Sequence, residues 1–168
     1  MIFLNIGSNL NSVYGDRFCN IKQAINLLSF IKIKKISSFY ETPSYPNKKN
    51  PKFLNIAVKL ATNLAPIEFL KKIKIIEKKM GRIKKSLNEP RICDIDIIDF
   101  RGINIKNKIL QLPHPRLHTR NFVLYPLKEI EPNWIHPIFN KNIDFFLNKL
   151  NNTERMEITR INKNVIIC

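Results

Sequence analysis

The spacing of hydrophobic and polar positions along the chain predicts a series of short strands and helices. A short apolar run, IFLNI (2–6), predicts a buried strand that ends at Gly7. The segment IKIKKISSFY (31–40) alternates apolar and basic residues, which is typical of a half-exposed strand, and FLNIAVKLAT (53–62) predicts a further strand. After the first strand, apolar residues at helical spacing predict a helix: Phe18, Ile21, Ile25 and Leu28.

A second helix and an isoleucine-rich strand follow. Pro66 fits the first helical position, and Gly81 fits the position just beyond the helix end. The next strand is ICDIDIIDF (92–100). The order β-α-β-β-α-β predicts an α+β fold of the ferredoxin-like (split βαβ) type, with a largely antiparallel sheet covered by helices. A C-terminal extension follows this core. In it, short strands are predicted at 103–105, 109–112, 156–161 and 164–168, and helices are predicted near 120–129 and 142–150.

Composition and charge narrow the class of protein. The 168 residues are 44% hydrophobic and 25% charged, which predicts one folded domain. Lysine and arginine (29) outnumber aspartate and glutamate (13), and the formal net charge of +16 favours an anionic partner such as nucleic acid, an acidic membrane surface or a small polyphosphate. Drift toward A/T-rich codons would also enrich isoleucine, asparagine and lysine, so the placement of particular basic residues is more informative than their number.

Cysteine usage and the chain start predict a cytoplasmic protein. Cys19, Cys93 and Cys168 are far apart and odd in number, which supports neither a disulfide framework nor a zinc site. The first residues lack a basic region, and their apolar run is too short for a signal peptide. No stretch approaches the roughly 20 apolar residues that a membrane span needs, so we expect no membrane association.

Acidic residues interrupt the strand ICDIDIIDF. Period-2 geometry places Asp94, Asp96 and Ile98 on one face and predicts that Asp99 lies on the other, as a strand-end or turn residue. Side chains two positions apart stand about 6.5–7 Å apart at their bases. Two such carboxylates can converge on Mg²⁺, and they can support a centre of two ions roughly 3.5–4 Å apart. The alternative is an exposed face with ordinary surface acids, with Lys or Arg side chains opposite them.

Longer motifs surround these aspartates. PR-x-x-D-I-D-I-I (90–98) is followed by PHPRLH-x-R-x-F-V-L-x-PL-x-EI-x-P (113–132), and IGSNL (6–10) and SSFYETP (37–43) precede them. In these motifs the chain resembles the 6-hydroxymethyl-7,8-dihydropterin pyrophosphokinases of folate biosynthesis. The resemblance implies a Mg²⁺-dependent enzyme that uses two ions to transfer diphosphate from ATP to the hydroxymethyl group of a reduced pterin, releasing AMP. It also implies that residues 1–168 form a single pyrophosphokinase domain.

The same resemblance implies a role for each matching residue. Asp94 and Asp96 would hold the metal ions, while Arg82 and Arg91 would be the catalytic arginines that close over the triphosphate, since guanidinium forks suit phosphate oxygens. The ATP site would include Glu77, Lys84, Ile97, His114 and Arg120, and the pterin site would include Thr42, Pro43, Phe53, Asn55 and Phe122.

Some of these positions have plain alternatives. Glu77 is explained equally well as a solvated residue on a helix surface, and Phe53 alone could be a core aromatic. The chain also departs from the family pattern in having Asn88-Glu89 before Pro90 and Pro115 after His114. These departures concern the affinity for substrates more than the reaction.

The expected partners are ATP and 6-hydroxymethyl-7,8-dihydropterin, with no nucleic acid, no membrane and a monomeric state. The main rival hypothesis is a basic nucleic-acid-binding protein on a ferredoxin-like sheet. That hypothesis requires an RNP1-like pattern of aromatic residues on the central strands, and the sequence has none. A degenerate relative without activity is the second rival, and the retained Asp94, Asp96, Arg82, Arg91 and Asn55 argue against it.

Overall fold

The computed structural model of the protein describes residues 1–81 and 89–163. Its strands are β1 (Ile2–Ser8), β2 (Lys32–Ile36), β3 (Phe39–Thr42), β4 (Phe53–Ala61), β5 (Asp94–Phe100), β6 (Ile105–Lys106), β7 (Gln111–Leu112) and β8 (Thr159–Ile161). Its helices are α1 (Arg17–Leu27), α2 (Pro66–Lys79), α3 (Asn121–Ile130), α4 (Ile143–Leu147) and α5 (Asn152–Met156).

The main sheet has the strand order β5-β1-β4-β3-β8, and β2 also pairs with β4. Each of the pairs formed by the described strands is antiparallel. Strands β6 and β7 form a separate small hairpin. The predicted mixed fold, with an antiparallel sheet and helices packed on it, is therefore confirmed.

Two clusters of buried side chains cover the two faces of the sheet. Helices α1 and α2 pack with alternate β1 residues on one face, which we call the main-core face; this cluster includes Ile2, Leu4, Ile6, Ile21, Ile25, Phe69 and Ile73. Helices α3 and α4 cover part of the other face, which we call the α3 face; this cluster includes Phe3, Ala57, Ile98, Val123, Leu127 and Phe146. Period-2 alternation along β1 separates the two sets.

Local signals fix the ends of the first two helices. Asp16 caps α1, because its side chain accepts a hydrogen bond from the Cys19 backbone N–H at 2.9 Å. Pro66 begins α2, where its missing N–H costs nothing, and Gly81 follows the helix with φ +83°, a conformation that glycine adopts easily. Within the described chain, no helix combines the length and the apolarity needed to cross a membrane.

The predicted strand at 31–40 is in fact two strands, interrupted at Ser37 and Ser38. The Ser37 hydroxyl accepts a hydrogen bond from the Ala57 N–H at 2.9 Å, so a side chain replaces a backbone acceptor of the ladder. The Ser38 N–H turns away and donates to the Glu129 carboxylate of α3 at 3.0 Å. These side-chain bonds compete with strand pairing and break the element.

The C-terminal part also differs from the prediction. A short helix, α5, lies where no helix was predicted, and it begins with a reciprocal capping box between Asn151 and Glu154. The strand predicted at 156–161 is reduced to β8, and the helix predicted at 142–150 ends at Leu147. The strand predicted at 164–168 lies outside the described residues.

Asp99 lies on the α3 face, and the prediction that it faces the opposite side is wrong. The register between β1 and β5 shifts after Phe3, so that Phe3 pairs with Asp99 while Leu4 pairs with Ile97. Such an irregularity brings two successive residues to one side of a strand. Buried Asp99 accepts hydrogen bonds from the Trp134 indole N–H and the Gly102 backbone N–H, both at 2.8 Å.

We expect the substitution Asp99→Ala to lower the free energy of unfolding by about 1–3 kcal/mol, because it leaves the buried Trp134 N–H without an acceptor. Urea unfolding would measure the change. Asp144→Ala is the matched control: its carboxylate is half exposed and pairs with Lys128, so the loss should stay below about 1 kcal/mol. Equal unfolding midpoints for the two variants would contradict this role of Asp99.

Candidate active site

The pairing registers of three strands bring the predicted site residues onto one face. In the β1–β5 ladder, Gly7 lies opposite Asp94 and Asn5 lies opposite Asp96. In the β1–β4 ladder, the same Gly7 lies opposite Asn55. Cross-strand partners share a face of an antiparallel sheet, so the two aspartates and Asn55 lie on the α3 face. The prediction that Asp94 and Asp96 point the same way is confirmed.

Cationic side chains balance the two carboxylates. The Arg91 guanidinium contacts Asp94 at 2.7 Å, and the Arg120 guanidinium lies 3.5 Å from Asp96. The face is not an openly exposed one, because the Asp94 and Asp96 side chains are only 21% and 29% exposed, whereas the arginines opposite them fit both a metal site and a pair of surface acids. An opposite charge at this range favours the charged form of a carboxyl group.

The acid pair has the chemistry of a partial metal site. Among residues 1–81 and 89–163, no three His, Cys, Asp or Glu side chains form a complete cluster for a metal ion. Magnesium, however, is usually held by one or two carboxylates together with substrate phosphates and water. Asp94 and Asp96 fit that pattern, because their two carboxylates share a face and sit beside cationic groups that attract phosphate.

Burial and like charge act on Asp96. Desolvation, followed by the neighbouring Asp94 carboxylate, raises the pKa of Asp96 to about 6, although Arg120 opposes the shift. Burial, together with Arg120 and Arg116, lowers the pKa of His114 to about 4, so this imidazole is neutral at pH 7.

The hydrogen bond of His114 defines its tautomer. Its Nδ1 accepts from the Arg116 backbone N–H at 3.2 Å, which leaves the ring proton on Nε2. That Nε2 faces the Asp96 carboxylate at 3.9 Å. His114 therefore presents a neutral N–H donor beside the acid pair.

Glu77 is not a solvated helix residue. It is 3% exposed, and its carboxylate accepts a hydrogen bond from the Ile95 N–H at 2.9 Å. The other carboxylate oxygen pairs with Lys74 at 2.7 Å. Glu77 thus fixes β5 to α2, one residue away from each of the two aspartates, and the alternative of helix-surface solvation is wrong.

Ile97 is placed on an outer edge of the sheet. Its side chain packs into the main-core cluster, on the face opposite the aspartates. Strand β5 is an edge strand of the main sheet. On its outer side, the Ile95 N–H donates to the Glu77 carboxylate, and the His114 N–H donates to the Ile98 carbonyl. The main chain of Ile97 lies at this edge, between Glu77 and His114.

The residues predicted to bind the pterin lie beside the acids. Asn55 is buried, and Phe53 lies two residues earlier on the same face of β4, opposite Thr42 of β3. Pro43 follows Thr42 directly and is half-buried. The Arg91 guanidinium lies 5.7 Å from the centre of the half-buried Phe53 ring, so Phe53 is not a core aromatic.

A second aromatic ring completes this part of the site. Phe122, at the start of α3, is half-buried, and the Arg120 guanidinium lies 5.3 Å from its ring centre. Each arginine that contacts an aspartate therefore also covers an aromatic ring. Arginine over a ring face is favourable, and the pair of rings suits a flat heterocycle.

Asn9, which was not among the predicted site residues, lies beside Arg91. Its side-chain N–H₂ donates to the Ser44 hydroxyl (3.3 Å) and the Pro51 carbonyl (3.1 Å), and its side-chain oxygen accepts from the Arg91 N–H at 2.6 Å. Asn9 thus joins the turn after β1, the loop at 43–52 and the segment before β5. Its place in IGSNL was the available signal.

Two predicted residues lie outside the described part of the chain. Arg82 and Lys84 fall within 82–88, so their expected contacts with phosphate stay predictions. Arg91, the other arginine that was predicted to be catalytic, lies at the described end of the same basic segment and contacts Asp94.

The family model of 7,8-dihydro-6-hydroxymethylpterin-pyrophosphokinase (HPPK) matches residues 3–132. The chain belongs to this family. The match spans the strands and loops that carry the aspartates, the arginines and the aromatic pair. The prediction of a pyrophosphokinase of folate biosynthesis is thereby confirmed.

Relatives at high identity carry the same activity in their names. The 2-amino-4-hydroxy-6-hydroxymethyldihydropteridine pyrophosphokinase of Aquifex aeolicus is 43% identical over 146 residues, covering 86% of this chain and 89% of that protein. The enzyme of the same name from Bacillus subtilis is 39% identical over 131 residues, covering 76% of each chain. The folic acid synthesis protein FOL1 of Dictyostelium discoideum is 42% identical over 138 residues, which are 82% of this chain but 20% of that longer protein.

Solved structures support the fold. The wild-type HPPK-DHPS structure of Plasmodium falciparum superposes with a TM-score of 0.68 at 19% identity, covering 88% of this chain and 44% of that chain. The chain thus spans somewhat less than half of that protein. At this identity the likeness concerns the architecture of the HPPK fold alone.

We expect the substitution Asp96→Asn to stabilise the metal-free protein at pH 8 by on the order of 1–2 kcal/mol. The folded-state pKa of Asp96 is raised from 3.8 to about 6, so this carboxyl lowers the stability of the fold as the pH rises from about 4 to about 6, and the loss is complete above that range. Below about pH 4 both states bind the proton, and the difference should disappear. Urea unfolding in EDTA between pH 4 and pH 8 would measure it. A variant that is less stable than wild type at pH 8 would contradict the assignment.

Proposed function

We propose that the acid pair on β5 is the centre at which this chain transfers diphosphate from ATP to the hydroxymethyl group of 6-hydroxymethyl-7,8-dihydropterin, releasing AMP. One observation carries the proposal. Asp94 and Asp96 lie on the same sheet face as Asn55, and an arginine links each acid to an aromatic ring suited to the pterin. The site therefore puts polyphosphate chemistry next to a pocket for a flat heterocycle.

Two Mg²⁺ ions are the proposed cofactor, held by Asp94 and Asp96. The carboxylate pair, the adjacent arginines and the raised pKa of Asp96 all fit a site that becomes favourable when cations bind. When bound, such ions neutralise phosphate charge and align the reacting oxygens. The requirement for magnesium in particular, and for two ions, is part of the proposal.

Arginines would supply most of the remaining charge at the triphosphate. A cation at Asp94 would take over the charge that Arg91 now balances, so that the Arg91 guanidinium could turn to phosphate oxygens. Arg120 would act in the same way from the Asp96 side. Arg82 and Lys84 are proposed to join them from the segment 82–88. In phosphoryl transfer the protein mainly positions the groups and stabilises charge, so no separate general base is required.

The nucleotide would lie along the outer edge of β5. There, the neutral His114 offers an Nε2–H donor, and the Ile97 main chain lies between His114 and Glu77. Buried Glu77 would act by holding β5 in register rather than by contacting solvent-exposed groups.

The pterin ring would lie between Phe53 and Phe122. Stacking on aromatic faces contributes on the order of 1 kcal/mol beyond area burial. Asn55 has a side-chain N–H₂ that is buried without a partner among the described residues, and it would donate to an acceptor of the ring. Thr42 and Pro43 would form the rim of the pterin pocket. In this pose the hydroxymethyl group points toward the acid pair.

The wider organisation is proposed on similar grounds. The order β5-β1-β4-β3 supports the ferredoxin-like split βαβ arrangement, with β2 and β3 together as one interrupted strand. We infer a single pyrophosphokinase domain over residues 1–168. The monomeric state and the cytoplasmic location stay predictions from the sequence.

The reaction is tested by incubating the protein with ATP, Mg²⁺ and 6-hydroxymethyl-7,8-dihydropterin and measuring AMP. We expect AMP to form, EDTA to stop its formation, and Asp96→Ala to reduce turnover by at least about 100-fold, because charge stabilisation at the phosphates is lost. Asp99→Asn, on the same strand but bonded to Trp134, is the matched control and should keep turnover within about threefold.

Two results would overturn the proposal. Absence of AMP above a blank would exclude the reaction itself. Equal turnover in Asp96→Ala and the wild type would show that the acid pair is not its centre.

A further inference from the structure

A buried amide lies in the middle of β1, between apolar neighbours. Asn5 is 5% exposed, and its side-chain N–H₂ donates a hydrogen bond to the Asn55 side-chain oxygen at 3.2 Å. Its register partner on β4 is Ala57, so Asn55 is a diagonal neighbour across the ladder. On β5, its register partner is Asp96. Asn5 therefore sits between the acid pair and the proposed pterin pocket.

The amide pair is incomplete. The Asn5 side-chain oxygen and the Asn55 side-chain nitrogen are both buried, and neither has a hydrogen-bond partner in the described structure. Buried polar groups without hydrogen-bond partners destabilise a fold. For stability alone, an apolar residue would therefore be better than Asn5 at this position of β1. Two orphan groups on adjacent strands indicate a place where a ligand completes the network.

The bond between the two amides also fixes which end of Asn55 faces the site. Asn5 donates to the Asn55 oxygen, and the same oxygen lies over Gly7, where an added Cβ would stand only 2.7 Å away. Glycine at position 7 therefore makes room for this orientation. With the oxygen held on the β1 side, the Asn55 nitrogen remains as a free donor.

We propose that Asn5 is a positioning residue of the pterin site, which holds the Asn55 amide so that its N–H₂ is presented to an acceptor atom of the pterin. The inference rests on the proposed function of this site. Without the Asn5 donor, the Asn55 amide can rotate and present its oxygen, and an oxygen facing a pterin acceptor is repulsive. Asn5 thus fixes the orientation of the Asn55 amide, the group that hydrogen-bonds to the edge of the pterin ring.

The experiment compares Asn5→Ala and Asn5→Leu with the wild type. Calorimetric titration of 6-hydroxymethyl-7,8-dihydropterin, with Mg²⁺ and a non-hydrolysable ATP analogue at saturation, gives the pterin Kd, and steady-state assays give KM and kcat. We expect both variants to raise the pterin Kd and KM about fivefold to tenfold, the effect of one lost hydrogen bond. The kcat should stay within about twofold, and the KM for ATP should not change.

The two variants separate positioning from packing. Alanine leaves space at position 5, whereas leucine fills it without providing a donor, so a shared loss of pterin affinity is an effect of the donor. Asn142→Ala is the matched control: this asparagine caps α4 by accepting from the Phe145 N–H, so the variant should lower the unfolding midpoint and leave the pterin Kd unchanged.

The possible failures are distinguishable. A wild-type protein that neither binds the pterin nor forms AMP would overturn the proposed function and this inference with it. A wild-type protein that does both, with unchanged pterin affinity in both Asn5 variants, would overturn the inference alone. Loss of stability in both variants without loss of affinity would likewise show that Asn5 is merely structural.

Discussion

Two carboxylates side by side on one face of a strand are the constraint on which the rest of this site depends. Asp94 and Asp96 repel each other, and burial adds to the cost of their charges, as the raised pKa of Asp96 shows. Positive groups must therefore stay close to them. Arg91 and Arg120 fill that need, and each also covers an aromatic ring. This need for cations is what the proposed metal ions and polyphosphate-binding arginines would satisfy.

The antiparallel sheet supplies the geometry, because its registers align side chains that are far apart in sequence. One end of the α3 face is apolar, with Phe3 and Ile98 packed under the helices. The other end is polar, with Asn5, Asn55 and the acid pair in adjoining rows. The same strands therefore hold the helices at one end and the proposed site residues at the other.

The sequence predicted the parts of this arrangement that follow from local period. Asp94 and Asp96 share a face because strand alternation is regular over three residues. Asp99 does not obey the alternation, because the register shift beside it depends on the pairing with β1. The burial of Glu77 and the position of Asn5 could not be predicted from local period either. Each of the two is a polar residue that is buried by, and hydrogen-bonded to, a strand distant in the sequence. Local sequence patterns do not reveal such long-range partners.

The positions of bound metal ions would test directly whether Asp94 and Asp96 hold them. We would crystallise the protein with Mn²⁺, the pterin and a non-hydrolysable ATP analogue, and locate manganese by anomalous scattering. We predict two peaks roughly 3.5–4 Å apart, each within about 2.0–2.4 Å of an oxygen of Asp94 or Asp96. Peaks bound only by the nucleotide, or at other carboxylates, with Asp94 and Asp96 still paired to arginine, would contradict it.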